Sequence, residues 1–186
     1  AQLLDTKRHY AASISVIDKY VGKMLDILEQ RGLMENTVVV FTADHGEMMG
    51  EHGLFEKKAM YEGALRIPLM IHTPGMTKPR TSGALASLMD LAPTFLELGK
   101  AAYDPGDLDA LSLCPILSSE TNQLRDVQQS ELLNTMMLYD GRYKWIRSFN
   151  DSDELYDLQE DPEELHNCVS QRRDVIDRLQ AYTFHQ

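Results

Sequence analysis

The feature that most constrains this chain is a short apolar run ending in a polar, glycine-rich loop. Thr37 to Phe41 is β-branched and apolar without alternation, the pattern of a strand buried on both faces, as in a parallel sheet covered by helices. Directly after it come Asp44, His45, Gly46 and Glu47. In open α/β sheets, functional groups collect just beyond the carboxyl ends of strands, where loops face a crevice. A carboxylate and an imidazole side by side there are candidates for metal ligation or acid–base chemistry. The plainer alternative is an Asp that caps or turns the chain beside an unremarkable His. The surrounding loop favours function: Gly46, Gly50 and Gly53 punctuate a segment that also holds His52, Lys57 and Tyr61, and glycine permits close backbone approach and positive φ.

Several elements follow from periodicity. Ile14, Ile17, Val21, Met24 and Leu28 recur at three- and four-residue spacing after Asp5 and Thr6, which predicts a helix stopped near Gly32 and packed on the sheet. Ile67 to His72 reads as a second buried strand, closed by Thr73-Pro74-Gly75, and Met76 to Gly83 as a basic loop. Leu85 to Met89 suits a short strand. Asp90 then caps a helix with Pro93 in its first turn and Gly99 past its end. Ala101 to Gln129 is rich in Asp, Ser and Pro and reads as an irregular surface segment.

In the tail, Thr135–Tyr139 and Tyr143–Arg147 flank Asp140-Gly141, a two-residue type I′ hairpin signal. Leu155 to Leu158 suits a further strand, and Ser170 is expected to cap a last helix with Val175, Ile176, Leu179 and Tyr182 on one face. The expected architecture is α/β up to residue 130, with a small antiparallel sheet and a helix over 131–186.

The formal net charge is −11, from 29 acidic and 18 basic side chains. That balance argues against nucleic acid as a partner, which needs a concentrated basic stripe. It leaves room for a local pocket that takes one small anion. No apolar run is long enough to span a bilayer. Cys114 and Cys168 have no metal-ligand spacing; two free thiols and one disulfide are both compatible with the sequence.

The chain resembles the C-terminal part of the sulfatases, members of the alkaline phosphatase superfamily. Its Thr42-Ala43-Asp44-His45-Gly46-Glu47, Gly50-Glu51-His52-Gly53, Phe55, Lys57, Tyr61-Glu62 and Arg66-Ile67-Pro68 follow that family's central signature in order. Tyr10–Ser13, Ile17–Gly22, Asp90–Thr94, Glu154–Leu158 and Asp161–Glu164 with Asn167 agree as well. The resemblance implies part of an alkaline-phosphatase-like sheet with flanking helices. It makes Asp44 and His45 ligands of a divalent ion, Ca²⁺ by family default, with Mn²⁺, Zn²⁺ and Mg²⁺ open as alternatives and the imidazole favouring Mn²⁺ or Zn²⁺ among them. Lys57 becomes the contact to the sulfate group. His52 is either a donor to substrate or a structural hydrogen-bonding residue. Glu47 and Glu51 are expected to order the loop.

The implied activity is hydrolysis of sulfate esters, on small molecules or sulfated glycans. In the family the nucleophile is a formylglycine made from Cys/Ser-x-Pro-x-Arg. Neither Cys114 nor Cys168-Val-Ser-Gln-Arg172 fits that motif. The nucleophile and the remaining acidic ligands are therefore expected in an N-terminal remainder of the same polypeptide, and this part alone is expected to be inactive. Two alternatives stay open: a phosphonate monoester or phosphodiester hydrolase of the same superfamily, and a non-catalytic binding domain. The export common among sulfatases implies a periplasmic or secreted setting.

Overall fold

The computed structural model describes residues 2–76 and 78–184. It comprises two compact units, Ala1–Pro79 and Arg80–Gln186. Thr77, within the expected basic loop, lies outside the described residues.

The first unit opens with α1, Gln2–Gln30. Its end is set by glycine as expected. Gly32 takes φ +64°, its N–H donates to the Glu29 carbonyl at 2.9 Å, and the Leu33 N–H reaches back to Leu28 at 2.8 Å. This pair of bonds satisfies carbonyls that the last helical turn would leave open. Strand β1, Val39–Thr42, pairs with β2, Leu69–His72. The register is Val39 with His72 through Thr42 with Leu69, and the pairing is antiparallel.

Two expectations are corrected here. The pair is antiparallel because the intervening loop closes on itself: the Thr42 hydroxyl donates to the Pro68 carbonyl at 2.8 Å, and the Gly46 N–H to the Ala64 carbonyl at 2.7 Å. These bonds bring the chain back beside β1 in the opposite direction. Nor does α1 bury its apolar stripe, since none of its residues is buried. A 29-residue helix is about 44 Å long, whereas four-residue strands span about 13 Å. A two-stranded sheet of that size leaves most of such a helix uncovered.

The second unit contains a four-stranded antiparallel sheet in the order β3-β4-β5-β6, formed by Gln128–Leu132, Thr135–Tyr139, Tyr143–Ser148 and Glu154–Asp157. On one face Leu138, Trp145 and Leu155 stand opposite one another across the strands. They form a core with Tyr143 and with Val175, Ile176 and Leu179 of the terminal helix Arg173–Gln180. On the other face, Lys144 is buried and pairs with Glu164 at 2.7 Å.

The β4–β5 hairpin forms as expected around a two-residue turn, Gly141-Arg142, closed by the Asp140 N–H donating to the Tyr143 carbonyl at 3.2 Å. The turn is not type I′, because of its two residues only Gly141 has positive φ. Gly141 has φ +94°, and the Asp140 carboxylate accepts the Arg142 and Tyr143 N–H groups at 2.9 and 2.7 Å. That local acceptor holds the turn in place of a second left-handed residue.

Short helices complete the chain. The turn Glu62–Leu65 is α2, Leu91–Leu98 is α3, Cys114–Leu117 is α4, and the terminal helix is α5. Leu85–Met89 is not a strand: Ser87 caps a 3₁₀ turn over Leu88–Asp90. Asp90 precedes α3 as expected, yet its carboxylate is committed elsewhere. It accepts from the Ser87 and Leu111 N–H groups and forms a two-pronged pair with Arg125 at 2.6 and 2.7 Å. Burial works against this carboxylate's charge, but the arginine and the two amides outweigh it and hold its pKa below the usual value.

Candidate active site

The loop between β1 and β2 is built around close backbone approaches. A Cβ on Gly46 would stand 2.1 Å from the Gly63 carbonyl oxygen, and one on Gly63 would stand 2.6 Å from a Glu51 carboxylate oxygen. Gly46 requires glycine for space because the obstructing atoms are main chain, whereas at Gly63 the closest atom is the end of a flexible side chain. Met48, Met60 and Ala64 are buried beneath the loop. Glu47 orders it from within, as expected, by accepting the Glu56 N–H at 2.6 Å and the Met49 N–H at 3.3 Å. Met49, Gly50, His52, Gly53 and Glu56 all have positive φ, a concentration of unfavourable backbone typical of segments held for function.

Asp44 and His45 emerge just past β1. One Asp44 oxygen accepts the His45 backbone N–H at 3.0 Å. The other lies 3.5 Å from His45 Nε2. The opposite ring nitrogen, Nδ1, is 2.8 Å from the Gly46 carbonyl oxygen. A carbonyl only accepts, so Nδ1 carries a proton and donates it. Nε2 then faces a carboxylate with either a second proton or a lone pair. A lone pair opposite a carboxylate is repulsive unless a cation lies between them. An ion pair between an imidazolium and the carboxylate satisfies this geometry, and so does a divalent cation that takes one hard oxygen and one imidazole nitrogen oriented through its other nitrogen.

Asp44 and His45 could hold a metal by two ligands at most. No cluster of three or more His, Cys, Asp or Glu suited to a metal occurs among the described residues, and a divalent ion takes four or more ligands. The residues fit a metal as part of its site.

The other expected residues lie in the same loop. His52 has φ +50°, and its ring stacks on Tyr61 with centroids 4.0 Å apart and planes 8° from parallel. Lys57 is exposed. Sequence reasoning had not assigned Gly63, Met48 or the stacking role of Tyr61. The adjacent Glu62-Gly63 was the only available signal for the close approach.

The cysteines are free. Burial pushes both thiols up, in Cys114 with help from Glu97 and Glu120. They remain protonated thiols near neutral pH rather than nucleophiles.

The sulfatase family model matches residues 5–101. The chain is 35% identical over 175 residues to the N-acetylglucosamine-6-O-sulfatase of Bacteroides thetaiotaomicron, an alignment covering 86% of this chain and 31% of that protein. It is similar to a solved structure in complex with its substrate D-glucosamine-2-N,6-O-disulfate, with TM-score 0.76, 29% identity and coverage of 91% of this chain and 37% of that one. It is also similar to the phosphonate monoester hydrolase of Silicibacter pomeroyi, with TM-score 0.78, 27% identity and coverage of 90% and 37%. The chain belongs to the sulfatase family and carries part of an alkaline-phosphatase-like fold. It spans about a third of the length of the curated relatives it matches.

Proposed function

We propose that the protein containing this chain hydrolyses sulfate esters of small molecules or glycans, and that Asp44 and His45 hold part of a divalent metal site. The observation that carries this reading is the 3.5 Å approach of Asp44 Oδ2 to His45 Nε2, with Nδ1 committed to the Gly46 carbonyl. A bound metal would neutralise charge on the ester's oxygens. Asp44 and His45 orient it; Lys57 contacts the sulfuryl group with a compact positive charge.

His52 has a settled ring plane against Tyr61, which suits a donor placed toward a leaving oxygen. The nucleophile, a formylglycine in our reading, and the other metal ligands come from the N-terminal remainder of the polypeptide. That remainder also covers the apolar stripe of α1, and the 186 residues alone turn over slowly or not at all.

A phosphonate or phosphodiester hydrolase is the second reading. Sulfuryl and phosphoryl groups share tetrahedral anionic geometry, and the Silicibacter pomeroyi neighbour supports it. Comparing the full-length protein on an aryl sulfate and an aryl phosphonate tests the choice. A kcat/KM higher on the sulfate is expected; preference for the phosphonate would transfer the assignment to the second reading.

A further inference from the structure

A groove in the second unit lies between one stripe of α5, carrying Arg173, Ile176 and Gln180, and the end of β5, carrying Trp145 and Arg147, with Asp153 beside them. Its volume is about 210 Å³. Pockets for drug-sized ligands run to roughly 300–1,000 Å³, so this one takes a single charged group or one ring.

Arg147 is distinctive among the described arginines of this unit. Arg125, Arg142, Arg172, Arg173 and Arg178 each pair with an aspartate, and Arg80 donates to Ser119 and to the carbonyls of Ile116 and Leu117. The Arg147 guanidinium instead lies over the rings of Trp145 and Phe149, 5.9 and 5.5 Å from their centroids. Among the described residues it meets no oxygen acceptor. The Asp153 carboxylate in the same groove accepts the Trp145 indole N–H at 3.0 Å, and Arg173 is held by Asp177. In a chain of net charge −11, a half-buried arginine left without an acid is conspicuous. Its planar fork of donors matches an oxyanion. The exposed Phe149 ring next to it offers an apolar face.

We propose that this groove is a subsite for one oxyanion-bearing sugar of an acidic glycan, with Arg147 as the principal contact. The glycan part of the assignment rests on the sulfate-ester reading above; the anion part rests on Arg147. The group bound is a sulfate or a uronate carboxylate, and the two are separable by experiment.

Trp145 is the only tryptophan in the chain, so its fluorescence reports this groove directly. The protein is titrated with a sulfated heparin disaccharide and, separately, with an unsulfated uronate-containing hyaluronan disaccharide. A saturable change is expected with at least one, and the stronger ligand identifies the group. R147Q should weaken that binding about tenfold or more. R147K, which keeps the charge and loses the fork, should fall between, with circular dichroism confirming that both variants fold. Absence of a saturable change with both ligands would overturn the proposal, as would wild-type binding by folded R147Q. Turnover of sulfate esters is a separate readout, made on the full-length protein: binding in this groove alongside a full-length protein that hydrolyses no sulfate ester would count against the proposed reaction and leave the subsite standing.

Discussion

Gly46 and Gly63 pass so closely that a Cβ on the first would stand 2.1 Å from the carbonyl oxygen of the second. Gly46 directly follows the Asp44–His45 pair in the chain, and its carbonyl accepts from the imidazole. Substituting Gly46→Ala forces the backbone apart, since the obstructing atom is main chain and not a flexible side chain. The expected loss is about 1–3 kcal/mol, measured as a lower midpoint in chemical denaturation. An unchanged midpoint would mean that the loop relaxes freely.

Lys144 and Glu164 form a 2.7 Å ion pair with side chains 1% and 2% exposed. Removing Lys144 takes the ion-pair partner from a buried carboxylate, so Lys144→Met alone should cost about 3–5 kcal/mol. The double variant with Glu164→Leu should recover a large part of that loss. A double-mutant cycle checks this, and additive losses would contradict it.

Asp90 gives the second unit an acid-sensitive anchor. Its folded pKa lies below the ordinary value of 3.8 despite the opposing effect of burial. A depressed carboxylate contributes stability above its unfolded pKa and loses that contribution as pH falls through the folded one. Asp90→Asn should therefore destabilise the chain at neutral pH, with the difference from wild type narrowing below about pH 4. Urea unfolding across that range would show it; a constant difference would contradict it.

Leu133 occupies the β3–β4 turn with φ +54° and is 90% exposed. A branched residue pays a steric penalty there and packs on nothing. Leu133→Asn, which tolerates this conformation, should stabilise by about 0.5–1 kcal/mol. Thermal unfolding reads the gain.

The parts of this fold legible in the sequence were those governed by local chemistry. The end of α1 at Gly32 and the strands around Asp140-Gly141 followed from glycine, turn residues and apolar spacing. Strand β3 was missed because Gln128, Gln129, Ser130 and Glu131 carry no apolar alternation; it forms by pairing with β4. The role of Asp90 was misread because its partners Leu111 and Arg125 are far along the chain, and a capping position looks the same with or without them. At the candidate site, Asp44 and His45 stood out by residue type and place after a strand. The contact of the His45 ring with the Gly46 carbonyl, and the Gly46–Gly63 approach, depend on how the loop closes. The burial expected for α1 failed because periodicity marks an apolar face without specifying what covers it.

The most direct test of the central claim is to measure bound divalent metal and aryl sulfate turnover together in the full-length protein, in wild type, Asp44→Asn and His45→Ala. The account predicts that wild type retains metal and hydrolyses the ester, and that each variant loses metal and turnover in parallel. Full metal content and undiminished turnover in both variants would contradict it.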